Sequence, residues 1–366
     1  MTKSDKITVH YNEVPIYDIC IKHSFSSFFR QLEKLNTKGK KICIVCDSTT
    51  KELFLDDVID LVKEYSAQVE SFSFPAGEES KTLDTVRKLY EQLTLSRFDR
   101  SDLLIALGGG VVGDLCGFTA ATYLRGIQFI QMPTTLLSMV DSSIGGKTGV
   151  DFDSYKNMVG AFHQPKNVYI NTACLKTLEK RVYVSGFGEV IKYGLISDPE
   201  FYTWLKENRE SLLAYDEGAL REMIYRSCIN KQKVVESDPE EKGLRAVLNL
   251  GHTIGHAVEK LKEFSLYHGE CVSIGMVAAA YISYQRGLLT AEELEDIKET
   301  LSSFGLPVHV EGIDAEETVA ATKNDKKMQA GKIKFILMKG LGQCYIDNTV
   351  SDQELLDGVN YILQNK

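Results

Sequence analysis

The densest set of chemistry-bearing residues lies in GLRAVLNLGHTIGHAVE, residues 243–259. Read as one helix, it sets His252 and His256 one turn apart on a shared face, with Asn249 and Arg245 one and two turns earlier. Two of the chain's seven histidines on one stripe, beside an Arg and an Asn, exceed what a packing face requires. Satisfied, partly buried histidines are the plain alternative. His268 follows in YHGE, at the expected start of the next helix. Three neutral imidazoles, or two with a carboxylate, make a zinc site with an open coordination position. The spacing alone does not choose among His252, His256 and His268. The carboxylate candidate is Glu189 in GFGEVIKYGL; Lys192, three residues on, shares its helix face. Such a pair can be an ordinary surface contact, but Gly186, Gly188 and the apolar flanks point to burial.

Two glycine turns are candidate anion sites. In DLLIALGGGVVGD (102–114) an apolar strand runs into Gly108, Gly109 and Gly110, and Gly108, Gly110 and Gly113 satisfy G-x-G-x-x-G. The acid that would hold a ribose about 20 residues later is missing, because FIQMPTT (129–135) carries none. The turn can still admit a phosphate: without Cβ atoms the backbone N–H groups approach closely, and the following helix N-terminus favours negative charge. A tight strand-to-helix turn with no ligand is the alternative. SSIGGKTGVD (142–151) contains GKT, but Asp141 stands where a P-loop needs its first glycine, so that pattern fails. The Gly-Gly-Lys turn can still set the Lys147 ammonium against an anion, with Lys156 and Asn157 close behind; lysines simply solvated in a loop are the alternative. Cys43 and Cys46 form a C-x-x-C inside ICIVC; on a strand they point to opposite faces, which favours core packing.

The elements that must position these residues follow from periodicity. KKICIVCD (40–47), QVESFSFP (68–75), the strand opening the glycine turn, and IQFIQMP (127–133) read as strands. Helices over 51–65 and from about 82 to 95 alternate with them. This βαβα order predicts a parallel sheet with helices on both faces. Ligands of such sheets collect at the carboxyl ends of strands, where Asp47, Glu78, the glycines, Thr134 and Thr135 fall. Beyond about residue 175 helical patterns dominate, at 199–213, 217–236, 245–262, 269–287 and 291–304. Thr290–Glu293 and Ser351–Glu354 fit capping boxes, and KIKFILMKG (332–340) reads as a late strand. The expected architecture is an α/β domain with a parallel-rich, Rossmann-like sheet over 1–175. A mainly helical domain follows over 176–366, with a cleft expected between the two.

Composition narrows the partners. At 366 residues, two domains are the natural division. A formal net charge of −9, with both signs mixed along the chain, argues against nucleic acid or an anionic membrane as the main partner. An anionic substrate must therefore be met by a local cluster of Lys and Arg. MTKSDKITVHYNE has no apolar leader, and no stretch is long and apolar enough to span a bilayer, so a cytoplasmic protein is expected. The eight cysteines are expected to be reduced thiols.

GGGVVGDLCGFTAATYLRG, MPTTLLSMVDSSIGGKTGVD, KNMVGAFHQP, GFGEVIKYGLI, GLRAVLNLGHTIGHAVE and YHGECVSIGMVAA, in this order and spacing, resemble the 3-dehydroquinate synthases among the sugar-phosphate cyclases. The likeness runs from about Asp47 to the DKK at 325–327. It implies a two-domain fold whose second domain binds metal and substrate, with the active site in the cleft between the domains. It also implies NAD⁺, a divalent metal (Zn²⁺ or Co²⁺) and a homodimer. The implied metal ligands are Glu189, His252 and His268, which leaves His256 facing substrate or supporting the metal. The implied cofactor residues are Asp47, Glu78, Lys81, Gly109, Gly110, Val111, Asp114, Thr134, Thr135, Lys147, Lys156, Thr177 and Leu178. Those implied for substrate are Asp141, Lys147, Asn157, Lys192, Lys231, Arg245, Asn249, His256 and a DKK lysine, taken as Lys326. Arg125 would reach the phosphate site of the neighbouring subunit. Within this set the implied catalytic residues are His256, Lys147, Lys192, Arg245 and Asn249. The implied reaction turns 3-deoxy-D-arabino-heptulosonate 7-phosphate into 3-dehydroquinate and phosphate, in the shikimate route to aromatic amino acids. Two departures stand out: Val182 follows Arg181 where the family usually has Glu, and Gly188 precedes Glu189 where Ala is common. A cyclase for another sugar phosphate, a polyol dehydrogenase of the glycerol-dehydrogenase type and a non-catalytic NAD-binding module are the rival readings.

Overall fold

The computed structural model describes residues 5–153, 155–238, 243–323 and 334–363. The DKK at 325–327, Lys326 included, lies outside the described residues. The chain forms two compact units, Met1–Leu178 with Leu220–Gln232, and Glu179–Ala219 with Lys233–Lys366.

The first unit is built on β1 (Lys6–Tyr11), β2 (Val14–Lys22), β3 (Lys41–Asp47), β4 (Gln68–Phe74), β5 (Leu103–Gly108), β6 (Gln128–Pro133) and β9 (Asn167–Asn171). They form one sheet in the order β1-β2-β9-β6-β5-β3-β4, parallel throughout except for the β1–β2 pair at one edge. Central strands covered on both faces read as unbroken apolar runs, and every residue of β5 is buried. On one face Cys43, Val45, Leu104 and Ala106 pack with α3 (Leu83–Leu95) and α4 (Gly110–Thr122). On the other, Ile42, Ile44, Cys46, Leu103, Ile105 and Leu107 pack with α1 (Phe29–Lys34) and α2 (Asp56–Val62). Cys43 and Cys46 thus serve opposite cores, and all eight cysteines are free thiols.

Strand order decides where a ligand can sit. From β3 the chain steps outward to β4, then returns past β3 to β5 and continues to β6 and β9. This reversal opens a crevice at the carboxyl ends of β3 and β5, the place where open α/β sheets bind ligands. Asp47 ends β3, and Gly108 ends β5 just before α4 begins at Gly110.

Two hairpins were not legible as strands. One is β1–β2; the other pairs β7 (Lys147–Phe152) with β8 (Tyr155–Phe162), whose mixed burial gives no clean alternation. The domain division also differs from one cut at 175/176. In α6 (Glu217–Ser237), residues Leu220–Gln232 belong to the first unit. The reason is local bonding: Lys231 Nζ donates to the Asp141 carbonyl and to Asp141 Oδ1, both at 2.6 Å. Gln232 donates to the Thr8 carbonyl at 2.7 Å, and Arg221 pairs with Asp5.

The second unit contains α5 (Phe187–Ser197), α7 (His252–Leu261), α8 (His268–Gln285), α9 (Ala291–Ser303), α10 (Ala315–Thr322) and α11 (Asp352–Leu363), with β10 (Phe335–Met338) paired to β11 (Cys344–Asp347). Capping boxes start α9 at Thr290 and α11 at Ser351. The helix expected over 245–262 is broken. Leu244–Asn249 is a 3₁₀ turn, Gly251 takes a left-handed φ of 78°, and α7 starts at His252. Arg245 and Asn249 therefore do not extend the stripe of His252 and His256. Among the described residues no helix is long and apolar enough to cross a membrane.

Candidate active site

Three helix starts converge in the second unit. Glu189 is the third residue of α5, His252 the first of α7 and His268 the first of α8. Glycine pairs let these helices meet at backbone distance. A Cβ on Gly188 would lie 2.4 Å from the Gly269 carbonyl oxygen, and one on Gly275 would lie 1.9 Å from that of Gly251. The His252 and His268 rings are consequently 5.3 Å apart. Gly188, one of the two departures from the family resemblance, is a position where Ala would push the helices apart.

His252 Nε2 lies 3.5 Å and His268 Nε2 3.4 Å from the same Glu189 oxygen, Oε1. The three ligand atoms lie within 4.8 Å of one another. His252 Nδ1 is 3.1 Å from the Leu250 carbonyl. A carbonyl only accepts, so Nδ1 carries the proton and Nε2 presents its lone pair toward Glu189. Two imidazole nitrogens and a carboxylate oxygen match the donor set of catalytic zinc sites with an open position. The site favours positive charge: burial works against the His268 imidazolium, yet the nearby Glu189 and Glu259 carboxylates outweigh it and raise His268 to about 9. His256, Glu259 and His268 form a second, overlapping trio.

Glu189 is fully buried and pairs through Oε2 with Lys192, itself 1% exposed. The burial suggested by the flanking glycines is thus observed. Burying both members of an ion pair costs desolvation that the attraction barely offsets, so such a pair is a poor device for stability. It is a good device for holding charge ready in a fixed place. Arg245 is buried at 2% exposure, and the backbone around it is held by Asp238 Oδ2, which accepts from Gly243 N at 2.7 Å and Arg245 N at 3.0 Å. His256 stands 5.2 Å from the His252 ring and 5.9 Å from that of His268, centre to centre. Asn249 ends the 3₁₀ turn before α7 and is half-buried.

The first unit gathers a second set. Asp47 caps the short helix after β3, accepting from Thr50 N at 2.8 Å. Gly109 is the N-cap of α4, with Gly110 and Val111 in its first turn. Thr134 follows β6 and donates its N–H to the Gly108 carbonyl at 3.0 Å, and Thr135 Oγ1 meets Ser138 Oγ at 2.8 Å. Buried Lys81 pairs with Asp114 at 2.8 Å, lies 3.7 Å from Glu78, and donates to Asn157 Oδ1 at 2.5 Å. Burial opposes the Lys81 ammonium, but the Asp114 and Glu78 carboxylates more than offset it and its pKa is raised. For Asp114 burial prevails over Lys81, and the carboxyl is raised. Lys156 reaches Glu78 at 3.8 Å. Asn157, at a φ of 52°, donates its N–H to Asp151 Oδ1 at 2.7 Å. Lys147 opens β7 and is exposed, Asp141 holds Lys231, and Thr177 and Leu178 close the 3₁₀ turn after β9. Arg125 is exposed in the turn after α4 at a φ of 67°.

Three features went unread in the sequence. Glu259 lies three residues after His256 and seven after His252, on the same helical face, so a longer scan of that stripe would have found it. Lys81 and Asp114 are far apart in sequence, and no local signal pairs them. Arg181, beside the unusual Val182, makes a two-pronged contact with Glu270 at 2.7 and 2.8 Å. It also donates to the Ser265 carbonyl at 3.1 Å and stacks over Tyr267 at 4.9 Å. Glu270 in turn accepts from Tyr267 N at 2.8 Å, so Arg181 fastens the start of the helix that carries His268.

Known proteins share this plan. Residues 71–185 match the sequence family described as 3-dehydroquinate synthase N-terminal, and residues 186–328 that described as 3-dehydroquinate synthase C-terminal. A 3-dehydroquinate synthase of Acetivibrio thermocellus is 43% identical over 344 residues, covering 94% of this chain and 95% of that protein. A 2-epi-5-epi-valiolone synthase of Streptomyces hygroscopicus, solved with NAD⁺ and Zn²⁺ bound, superposes with a TM-score of 0.88 at 26% identity, covering 94% of this chain and 96% of the other. A 2-deoxy-scyllo-inosose synthase solved with carbaglucose-6-phosphate, NAD⁺ and Co²⁺ gives the same TM-score of 0.88 at 23% identity over 98% of this chain and the whole of the other, a likeness of fold. With residues 71–328 matched by these two family models and a 43% identical relative covering 94% of the chain, the chain belongs to the 3-dehydroquinate synthase family.

Proposed function

We propose that this protein converts 3-deoxy-D-arabino-heptulosonate 7-phosphate to 3-dehydroquinate and phosphate. The proposed course is oxidation of a secondary alcohol, elimination of phosphate, reduction of the new ketone, ring opening and intramolecular aldol closure. The observation that carries this reading is the trio of Glu189, His252 and His268, with Glu189 and His252 buried and the Lys192 ammonium paired to Glu189. A divalent metal such as Zn²⁺ or Co²⁺, held by Glu189, His252 and His268, supplies Lewis acidity that favours the ionised form of a substrate hydroxyl. NAD⁺, held by the residues of the first unit, would supply a hydride acceptor for the oxidation and a hydride donor for the later reduction.

The chain's own residues do the rest. Asp47, Glu78 and Lys81 with Asp114, the α4 N-terminus at Gly109, Gly110 and Val111, and Thr134, Thr135, Lys156, Thr177 and Leu178 hold the nucleotide. The free N–H groups at that helix start suit its pyrophosphate. Asp141, Lys147, Asn157, Lys192, Lys231, Arg245, Asn249 and His256 bind substrate. Charge-assisted bonds from Lys, Arg and Asn donors orient the phosphate for departure. The substrate phosphate itself takes the C–H proton, which is why no further carboxylate base is required. His256 moves a proton at the substrate hydroxyls. Arg125 serves the partner subunit of a homodimer, and the enzyme works in the cytoplasm on the way to aromatic amino acids.

One assay separates the rivals. The protein is incubated with the heptulosonate phosphate, Zn²⁺ and sub-stoichiometric NAD⁺, and released phosphate and accumulated NADH are measured. Phosphate far exceeding the NAD⁺ present, with no net NADH, is the expected result. Net NADH would indicate a polyol dehydrogenase, and turnover of a hexose phosphate instead would indicate another cyclase.

A further inference from the structure

We propose that Glu259 is a positioning residue for metal binding: its carboxylate holds the proton of His268 on Nδ1 and so leaves the Nε2 lone pair facing Glu189 and His252. The inference rests on the reading of Glu189, His252 and His268 as a metal site. The His268 ring spans two carboxylates, with Nε2 3.4 Å from Glu189 Oε1 and Nδ1 3.9 Å from Glu259 Oε2. A neutral imidazole has one N–H and one lone pair, so the group facing Nδ1 decides which nitrogen can ligate. His252 is arranged in the same sense, with Nδ1 turned to the Leu250 carbonyl and Nε2 to Glu189. One histidine is thus oriented by the backbone and the other by an acid.

The placement of Glu259 supports this role. It is buried at 5% exposure on α7, the helix whose first residue is His252. One helix therefore supplies a ligand at its start and, two turns later, the acid that orients a ligand on α8. A carboxylate buried this deeply is costly unless donors meet it, and both His268 and His256 lie beside it. Metal-bound histidines commonly hand their second nitrogen to a carboxylate, which fixes the ring and raises its basicity.

The test measures Zn²⁺ affinity of the full chain by competition with a chromophoric chelator, alongside the Co²⁺ visible absorption spectrum and the melting temperature without added metal. Glu259→Leu is expected to weaken Zn²⁺ binding about 10–100-fold, the range for loss of an orienting partner, and Glu259→Gln, which keeps an acceptor oxygen without the charge, by about threefold to tenfold. The Co²⁺ band shifts in the Leu variant, and the Gln variant melts near the parent. Affinities within about twofold of the parent in both variants would overturn the proposal, as would a loss in the Gln variant equal to that of His252→Ala, which would make Glu259 a ligand. Should the Leu variant not fold, the Gln variant decides alone. A parent chain that binds no Zn²⁺, or His252→Ala binding as tightly as the parent, refutes the metal site itself.

Discussion

Gly275→Ala tests whether the helix crossing, rather than the ligands alone, builds the metal site. The added Cβ would lie 1.9 Å from the Gly251 carbonyl oxygen, and ordinary contact begins near 3.4 Å, so the crossing must open by about 1.5 Å. Neither side yields easily. Gly251 sits at a φ of 78°, and its own position is hemmed in by the Val272 carbonyl and Met276. Overpacking of this kind costs about 1–3 kcal/mol. The same movement reaches the site directly, because His252 follows Gly251 in the chain. Metal–ligand distances tolerate only about 0.2 Å, so a shift several times larger must cost affinity.

The assay pairs a urea unfolding curve with chelator competition for Zn²⁺. Gly275→Ala is expected to lower the unfolding midpoint and to weaken Zn²⁺ binding by at least about tenfold, since even loss of an outer partner costs that much. Gly39→Ala, where a Cβ meets nothing within 4 Å, serves as the neutral comparison. Parent-like stability and affinity in Gly275→Ala would refute the close approach. Lost stability with unchanged Zn²⁺ affinity would refute its coupling to the site.

Arg245→Ala removes a buried guanidinium assigned to substrate, and kcat/KM is expected to fall about 10–100-fold, as for one charged hydrogen bond, while NAD⁺ titrations stay near the parent. Failure of NAD⁺ binding there would overturn the division of roles. Lys81→Ala strands Asp114 without its 2.8 Å partner and is expected to cost about 3 kcal/mol by urea unfolding, a loss that adding Asp114→Ala should partly restore without restoring NAD⁺ binding. Arg286 bonds Glu354 at 2.5 and 3.0 Å and holds its carboxyl at about 2, below the usual 4.5. A depressed carboxyl stabilises the fold above the unfolded value and loses that contribution as pH falls from 4.5 toward 2, so Glu354→Gln should lose less stability than the parent over this window in urea midpoints.

How much of this was legible depends on where each interaction is encoded. The βαβα half is local: unbroken apolar runs such as ICIVC and LLIAL announce strands covered on both faces, and Asp47 and Gly108 then fall at carboxyl ends by counting. The reversal of strand order at β3 and β5 is tertiary, yet it explains the missing ribose acid after GGGVVGD. The turn stands at a crevice of the 2-1-3-4-5 type of sheet, whose order differs from the 3-2-1-4-5-6 sheet to which that fingerprint belongs. In the helical half, residue types singled out Glu189, His252, His256 and His268 as candidates, but periodicity misled. A continuous helix through 245–262 would carry Arg245 and Asn249 on the histidine stripe, whereas the left-handed Gly251 ends that register and starts a new helix at His252. The same glycine is what Gly275 approaches. A residue that looks like a helix defect in one dimension is the point where two backbones touch in three. Sequence periodicity registers only the defect, because the partner that makes it necessary lies on another helix. The same holds for Gly188 against Gly269, where the loss of one methyl along the chain sets the separation of the helices bearing Glu189 and His268.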